Sequence, residues 1–84
     1  MYYVYLIRCK DNSLYCGQTN NIENRIREHN ESKTKSARYT RGRGPVVLVY
    51  TEKVKTLSQA LKREHEIKQL TKQKKELLVQ NLNK

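Results

Sequence analysis

The chain has 84 residues, of which 36% are hydrophobic and 31% are charged. A chain of this length folds as one domain with a small core, and we expect a single domain over residues 1–84. Its 18 Lys and Arg residues against 8 Asp and Glu give a net charge of +10, spread along the whole chain, which favours an anionic partner. No segment approaches the ~20 apolar residues of a membrane span, so nucleic acid is favoured over an anionic membrane.

The first third of the chain is predicted to form a β-hairpin followed by a helix. Tyr2–Cys9 and Leu14–Thr19 are rich in residues that favour strands, and four turn-forming residues separate them. Asn20, with Glu23 three residues later, has the pattern of an N-cap with a capping box. We therefore predict a helix over about Asn21–Glu31.

The rest of the chain is predicted to add one strand and two helices. Residues 32–44 are polar and basic and contain glycine, which indicates a loop. Pro45 precedes a strand over Val46–Tyr50 or slightly beyond, a second helix begins near Thr56, and a third follows a cap at Thr71. The order ββαβαα predicts an α+β fold with a small antiparallel three-stranded sheet flanked by helices.

Each of the first two helices has a charged residue on the face that should be apolar. The stripe of the first helix is Ile22, Arg25, Ile26 and His29, and that of the second is Leu57, Ala60, Leu61, Glu64 and Ile67. Burying an unpaired charge costs several kcal/mol, so Glu64 needs a cation, which is either a side chain or a metal. A Glu64–Arg25 ion pair that only fixes the packing is the structural alternative.

The cysteines and histidines do not have the spacing of a zinc site. The chain contains Cys9, Cys16, His29 and His65, and His65 lies one position off the inward stripe of its helix. No charged and then apolar leader precedes the first strand. We expect a cytoplasmic protein with reduced cysteines and without structural zinc.

Two tripeptides of the hairpin, YVY at residues 3–5 and YCG at residues 15–17, resemble the paired motifs of the GIY-YIG nuclease superfamily. Further positions match at the spacing of that superfamily, and one matching glutamate is the residue that holds the divalent metal there. The matching residues, in chain order, are Tyr5, Tyr15, Arg25, His29 and Glu64. The resemblance covers nearly the whole chain and is closest to a small, uncharacterised, single-domain bacterial branch.

The chain departs from the motifs of this superfamily at a few positions. Tyr3 stands in place of the first glycine and Cys16 in place of isoleucine, whereas Gly17 is kept and is interpreted as a structural residue that relieves a crowded strand. Many members have a late asparagine near the metal. Asn81 and Asn83 are the candidates for it, and Asn81 is the better one because it lies on the predicted apolar stripe of the last helix.

The resemblance implies a metal-dependent endonuclease that hydrolyses phosphodiester bonds in DNA, in repair or structure-specific cleavage. Since only Glu64 is a carboxylate on an apolar stripe, we expect one Mg²⁺ or Mn²⁺ ion. Tyr5 is the predicted general base, slightly ahead of Tyr15, because a nearby cation favours the phenolate. Arg25 would bind two phosphate oxygens, and His29 would act as a phosphate ligand or proton shuttle.

The predicted loop carries five cations within eleven residues around one tyrosine, a composition suited to phosphate contacts and base stacking. These residues are Lys33, Lys35, Arg38, Tyr39, Arg41 and Arg43. Lys68 and the Lys72–Lys75 run are interpreted as solvated helix surface. DNA is favoured over RNA, and an unidentified protein partner is a candidate source of specificity. The alternative function is a non-catalytic nucleic-acid-binding module that retains the nuclease fold.

The catalytic interpretation requires Tyr5 and Tyr15 on one face of the sheet. Because side chains alternate along a strand, a three-residue turn over residues 11–13, which pairs Tyr5 with Thr19, places both phenols on the same side. A four-residue turn would place them on opposite sides. We predict the three-residue turn without bulges, and the same register puts the two cysteines on opposite faces, where no disulfide can form.

Neutralising Arg38, Arg41 and Arg43 together tests the predicted loop contact. If the three guanidiniums contact phosphates, DNA binding should weaken and the slope of log affinity against log salt should flatten by about three units, roughly one per lost contact. A salt titration of DNA binding measures this slope. Unchanged binding across the titration would move the contact surface elsewhere, most plausibly to Lys72–Lys75.

Overall fold

A computed structural model of the chain describes residues 1–31 and 44–82, the last of them by its backbone alone. These residues form three strands and three helices, which confirms the predicted α+β fold and its order ββαβαα. The elements are β1 (Tyr2–Arg8), β2 (Leu14–Thr19), α1 (Ile22–Glu31), β3 (Val47–Val54), α2 (Leu57–Lys68) and α3 (Lys72–Leu82). Within these ranges no helix is long and apolar enough to cross a membrane. Most of the predicted basic loop, with Lys33 to Arg43, and Asn83 lie outside the described residues.

The three strands form one antiparallel sheet in the order β2-β1-β3, so β1 is central. Its residues Val4, Tyr5, Leu6 and Ile7 are at most 1% exposed. Four consecutive residues of one strand are buried only when both faces of the sheet are covered. Here α1 covers one face and α2 with α3 covers the other, which we call the α1 face and the α2/α3 face.

Each face of the sheet has its own apolar cluster. The cluster on the α1 face contains Tyr5, Ile7, Cys9 and Val46, with Tyr15, Ile22, Ile26 and Leu48 packed against it. The cluster on the α2/α3 face contains Val4, Leu6, Leu14, Cys16, Ala60, Ile67 and Val79. Cys9 and Cys16 therefore lie on opposite faces, and both are free thiols, as predicted.

The hairpin register differs from the prediction by two residues. Tyr5 pairs with Gly17 instead of Thr19, and the turn closes through hydrogen bonds from the Cys9 N–H to the Ser13 carbonyl and from the Asn12 N–H to the Cys9 carbonyl, both 2.9 Å. Asn12 has a φ of 70°, a left-handed conformation that asparagine tolerates, and this lets the turn begin one residue earlier than expected. A shift of two keeps every side chain on its face, so the two phenols share the α1 face as predicted.

The pairing of β1 with β3 contains an irregularity that the sequence prediction excluded. Leu6 pairs with Tyr50 but Ile7 pairs with Leu48, so Val49 is an extra residue on β3. Val49 and Tyr50, although adjacent in sequence, consequently both pack on the α2/α3 face. The strand also continues to Val54, beyond the predicted end at Tyr50.

The helix starts agree with the predicted caps in two of three cases. α2 begins after Thr56, which forms a complete capping box with Gln59, and α3 begins after Thr71, whose hydroxyl accepts a backbone hydrogen bond of 3.3 Å. The cap of α1 is Asn21 and not Asn20, since the Asn21 side chain accepts the N–H three residues later at 3.0 Å. The predicted capping box was therefore placed one residue too early.

The inward face of α2 is narrower than predicted. Ala60 and Ile67 are fully buried and Glu64 is half-buried, but Leu57 and Leu61 are 43% and 48% exposed. The edge of β2 lies beside this helix, where the Cys16 thiol lies 3.9 Å from the Glu64 carbonyl. The helix is thus rotated so that Ala60, Glu64 and Ile67 face the sheet, whereas the two leucines do not.

The inward face of α3 also differs from the prediction. Val79 is buried and Leu78 is half-buried, whereas Asn81 is exposed. Asn81 was preferred over Asn83 because of its predicted place on the apolar stripe. That reason is wrong.

An ion pair joins α2 to β3. The Arg63 Nε donates to Glu52 Oε1 at 2.8 Å and its Nη2 donates to Oε2 at 2.9 Å, while the Tyr50 hydroxyl donates to the same carboxylate. Burial raises the pKa of Glu52, but Arg63 and Tyr50 outweigh it and hold the pKa of this carboxyl below its usual range. Burial and the bond to Glu52 raise the pKa of Tyr50 to about 12. This clamp holds the helix that carries Glu64.

A second polar contact joins the end of α1 to the start of β3. The Asn30 side-chain amide donates to the Val46 carbonyl at 3.2 Å, and its carbonyl accepts the Val46 N–H at 2.7 Å. One side chain thereby satisfies the backbone N–H and carbonyl of Val46, a buried residue that lies immediately before β3.

Glu52→Gln tests the clamp, because it keeps the side-chain shape and removes the charge. The free energy of unfolding should fall by about 1–2 kcal/mol at neutral pH. Since the folded-state pKa of Glu52 is lowered, its contribution is present above the usual carboxyl pKa and is lost as the pH falls through the lowered value, so the difference seen at neutral pH should close at an acidic pH below that value. Urea denaturation at the two pH values measures it.

The matched control for this prediction is Glu66→Gln. Glu66 also pairs with Arg63, at 3.5 Å, but its side chain is 52% exposed. An exposed pair of this kind contributes little, so the control should shift stability by less than about 0.5 kcal/mol. Equal losses in the two variants would mean that the clamp is no stronger than a surface ion pair.

Candidate active site

Tyr5 and Gly17 are register partners on β1 and β2, and their contact shapes the site. The Tyr5 ring lies across Gly17, where an added Cβ would stand 2.6 Å from Tyr5 Cζ and closer still to the hydroxyl. Tyr5 itself is only 1% exposed. Gly17 therefore has a structural role, because only a residue without a side chain leaves room for this tyrosine.

His29 lies between the two tyrosines on the α1 face. Its Nε2 is 2.9 Å from the Tyr5 hydroxyl, and the centroid of its ring is 6.0 Å from that of Tyr5 and 5.7 Å from that of Tyr15. Both ring pairs have the edge-to-face geometry that aromatic rings prefer. His29 is 4% exposed, so it is an interior residue of the site and not a helix-end histidine in solvent.

The pKa shifts of this pair follow from burial. Burial, with a contribution from the Arg25 charge, lowers the pKa of His29 to about 4, so the imidazole is neutral at neutral pH. Burial raises the pKa of Tyr5 to about 12, against the opposing effect of Arg25. A neutral phenol therefore faces a neutral imidazole, which has one nitrogen available as an acceptor.

Arg25 lies one turn before His29 on α1. Its guanidinium is half-buried, forms an ion pair of 3.2 Å with Glu28, and interacts with the Tyr5 hydroxyl. Glu64, in turn, pairs with a lysine of its own helix. Each residue thus has an ion-pair partner on its own helix, an arrangement different from the Glu64–Arg25 pair considered as the structural alternative.

Glu64 approaches the site from the other face of the sheet. Its side chain is 21% exposed, and its Oε1 is 3.5 Å from the Lys68 Nζ, which also lies 5.8 Å from the centroid of the Tyr15 ring. Tyr15 belongs to the α1 face and α2 covers the opposite face, so these groups meet around β2, which is an outer strand. Glu64 and Tyr15 are therefore linked through Lys68.

Among the described residues, the predicted catalytic side chains of the α1 face lie together, since Tyr5 and Tyr15 contact His29 and Arg25 interacts with Tyr5. Glu64 belongs to the helix on the opposite face and is linked to Tyr15 through Lys68. Lys68 was assigned to the solvated helix surface and is exposed there, but its contacts with Glu64 and Tyr15 were not predicted. Its spacing of four residues after Glu64 is the signal that could have identified it.

One half-buried carboxylate, that of Glu64, is the candidate ligand for a divalent cation at the β2 edge. In the described part of the chain no three His, Cys, Asp or Glu side chains cluster in a way that could hold a metal. Mg²⁺ is commonly held by one or two carboxylates together with water and substrate phosphates, so a single half-buried carboxylate fits it. Glu64 is the residue that would hold the ion.

Comparison with known proteins identifies a family whose members resemble this chain. Residues 1–77 match the family model of the GIY-YIG catalytic domain. A UPF0213 protein of Haloquadratum walsbyi is 52% identical over 79 residues, which are 94% of this chain and 86% of that protein. A UPF0213 protein of Staphylococcus haemolyticus is 53% identical over 74 residues, 88% of each chain. The name UPF0213 states no activity.

Solved structures share the fold. The solution NMR structure of a UPF0213 protein from Bacillus halodurans has 44% identity and a TM-score of 0.59, and the match covers 95% of this chain and 84% of that one. The solution NMR structure of a protein from E. faecalis has 38% identity and a TM-score of 0.64 over 98% of this chain and 85% of that one. Experimentally determined structures of similar chains therefore have this arrangement of sheet and helices.

Gly17→Ala tests the contact that shapes the site. The added methyl group must displace the Tyr5 ring, so the free energy of unfolding should fall by about 1–3 kcal/mol, the usual cost of overpacking, and the Tyr5–His29 hydrogen bond should be disturbed. Gly44→Ala is the matched control, since its Cβ would meet nothing nearer than Asn30 Oδ1 at 3.9 Å. Denaturation of both variants measures the difference, and equal stabilities would contradict the proposed crowding.

Proposed function

The chain belongs to the GIY-YIG nuclease family, and from this membership we propose that it is an endonuclease that hydrolyses phosphodiester bonds in DNA with the help of one Mg²⁺ or Mn²⁺ ion. Repair or structure-specific cleavage is the proposed setting. A protein partner that supplies specificity is part of the same proposal, because every phosphodiester linkage is chemically alike and does not by itself identify a sequence.

One observation carries this proposal. Tyr5 and Tyr15 contact a buried, neutral His29, Arg25 interacts with the Tyr5 hydroxyl, and Glu64 is linked to Tyr15 through Lys68. A tyrosine, an arginine or a histidine alone has an ordinary structural explanation. Their contacts with one another, and the link to a partly exposed carboxylate, support a catalytic site, because the set combines a proton acceptor, a phosphate clamp and a cation ligand.

Arg25 is proposed to bind the phosphate. Its planar guanidinium can donate to two non-bridging oxygens at once and offset the negative charge that develops on the phosphorus centre. Its side chain is 25% exposed, so an incoming phosphate can reach it, and its pairing with Glu28 keeps it on the same side of α1. Exchange of this partner for phosphate would leave the Tyr5 contact in place.

Tyr5 is proposed to be the general base, with His29 receiving its proton. A phenol with a pKa of about 12 is a poor proton acceptor on its own. The neutral His29 imidazole, 2.9 Å away, can accept the phenol proton as the phenol takes one from the attacking water. Because His29 is 4% exposed, a phosphate has little access to it, so the shuttle is proposed in place of a role as phosphate ligand. Its pKa of about 4 means that the imidazole would hold the proton only transiently. Tyr15, which is more exposed than Tyr5, is the alternative base.

A divalent cation bound at Glu64 would supply positive charge that polarises the phosphate and activates water. The residues of the chain then divide the remaining tasks. Glu64 would hold the cation beside β2, Arg25 would bind the phosphate, and the Tyr5–His29 pair would move the proton.

The second candidate function is a binding module that no longer cleaves. The observation that favours it is the ion pair between Glu64 and Lys68, which gives the only candidate metal ligand of the described residues a side-chain cation. Such a module would retain the positive charge of the chain and bind nucleic acid with strong salt dependence.

Glu64→Gln distinguishes these functions. The purified protein would be incubated with Mg²⁺ or Mn²⁺ and labelled duplex, flap, bubble and single-stranded DNA, with RNA counterparts. We expect metal-dependent cleavage by the wild type and a loss of about 100-fold or more in the variant, since the cation ligand is gone. Glu66→Gln, on the same helix but exposed, should retain activity.

The stability of the metal-free variant completes the test. If Glu64 serves a metal, Glu64→Gln should change the free energy of unfolding little, whereas breaking a buried structural pair would cost about 3 kcal/mol or more. Nucleic-acid binding without cleavage of any substrate would reject the endonuclease and favour the binding module, and a large loss of stability would mean that Glu64 has a buried structural partner in place of the partly exposed pair with Lys68.

A further inference from the structure

Lys68 holds an unusual position for a surface lysine. Its ammonium is 3.5 Å from Glu64 Oε1 and 5.8 Å from the centroid of the Tyr15 ring, so it stands between the carboxylate and the phenol at the β2 edge. The four-residue spacing from Glu64 favours an ion pair along one helix, but the contact with Tyr15 directs the side chain across the strand edge. The lysine therefore occupies the space beside the carboxylate that faces the site.

We propose that Lys68 is a positioning residue that occupies, on Glu64, the place of the divalent cation until that cation binds. This inference rests on the proposed function, since it assumes that Glu64 is the metal ligand. An ammonium and a hydrated divalent ion are both attracted by the same carboxylate oxygen, and their charges repel each other. They therefore compete for Glu64.

The strength of the ion pair suits such an exchange. The side chains of Lys68 and Glu64 are 44% and 21% exposed, and partly exposed pairs along a helix contribute little to stability. A pair of this strength orients the carboxylate toward the β2 edge without preventing a divalent ion from replacing the ammonium. The displaced ammonium stays beside the Tyr15 ring, where it can meet the phosphate of an incoming strand.

The competition predicts that removing the ammonium tightens ion binding. Mn²⁺ affinity would be measured without nucleic acid, by calorimetry and by the electron paramagnetic resonance of free Mn²⁺. Lys68→Met should bind Mn²⁺ roughly three- to tenfold more tightly than the wild type, the effect expected from one charge a few ångströms away in a partly hydrated site. Lys68→Arg, which keeps the charge, should stay within about twofold of the wild type.

Two controls separate competition at Glu64 from a general change in charge. Lys62→Met removes a charge from an exposed position of the same helix, and residues 62 and 64 do not face each other, so Mn²⁺ affinity should not change. In the Glu64→Gln background Mn²⁺ binding should be lost, and Lys68→Met should not restore it.

Three results would overturn the inference. They are equal Mn²⁺ affinity in the wild type and Lys68→Met, an equal gain in Lys62→Met, and a gain from Lys68→Met that persists in the Glu64→Gln background. Absence of Mn²⁺ binding in every variant would overturn it as well, because there would be no cation for the ammonium to replace.

The failure of this inference is distinguishable from the failure of the proposed function. Metal-dependent cleavage by the wild type, with no tightening in Lys68→Met, would keep the endonuclease and reject the role of Lys68. Tighter Mn²⁺ binding by Lys68→Met in a protein that cleaves no nucleic acid would keep the competition at Glu64 and reject the endonuclease.

Discussion

The hydrogen bond between the Tyr5 hydroxyl and His29 is the interaction on which the rest of the site depends. A buried hydroxyl without a partner costs about 1–3 kcal/mol, so α1 has to lie where its histidine meets this phenol. Once α1 is fixed there, Arg25 follows one turn earlier and Tyr15 meets the edge of the same imidazole. The bond can form only because Gly17 leaves the Tyr5 ring free to cross its strand partner. The contacts of Tyr5 with His29 and Gly17 therefore determine both the packing of α1 and the geometry of the polar site.

The two faces of the sheet have different tasks. The α2/α3 face carries the larger apolar cluster and the clamp between Glu52 and Arg63, so most of the stabilising contacts lie there. The α1 face buries fewer aliphatic residues and uses its room for polar groups with shifted pKa values. Because the described sheet has three strands, β2 is an edge, and a lysine of the helix on the stable face can reach Tyr15 of the polar one. A wider sheet would separate them.

Much of the fold and part of the site could be predicted from the sequence, for physical reasons that particular residues show. The period of two placed Tyr5 and Tyr15 on one face even though the register was wrong, since an error of two residues preserves the side. The error itself came from Asn12, whose left-handed conformation has no periodic signal. Leu61 was predicted to be buried by its spacing but is exposed, because the fit of α2 to the sheet decides its rotation. Lys68 is exposed as predicted, but its contact with Tyr15 could not be predicted, because it joins α2 to β2, which are far apart in the sequence.

The amide of Asn30 has a consequence for how this domain can vary. By holding the backbone of Val46, it fixes the point where the chain leaves α1 close to the point where it enters β3. The entropy of closing a loop grows only slowly with its length, so residues can be inserted or exchanged between these two anchors at small cost to the rest of the domain. Protein engineering could exploit this junction, because a peptide that recognises a chosen nucleic acid could be spliced in there while the α1 face keeps its geometry.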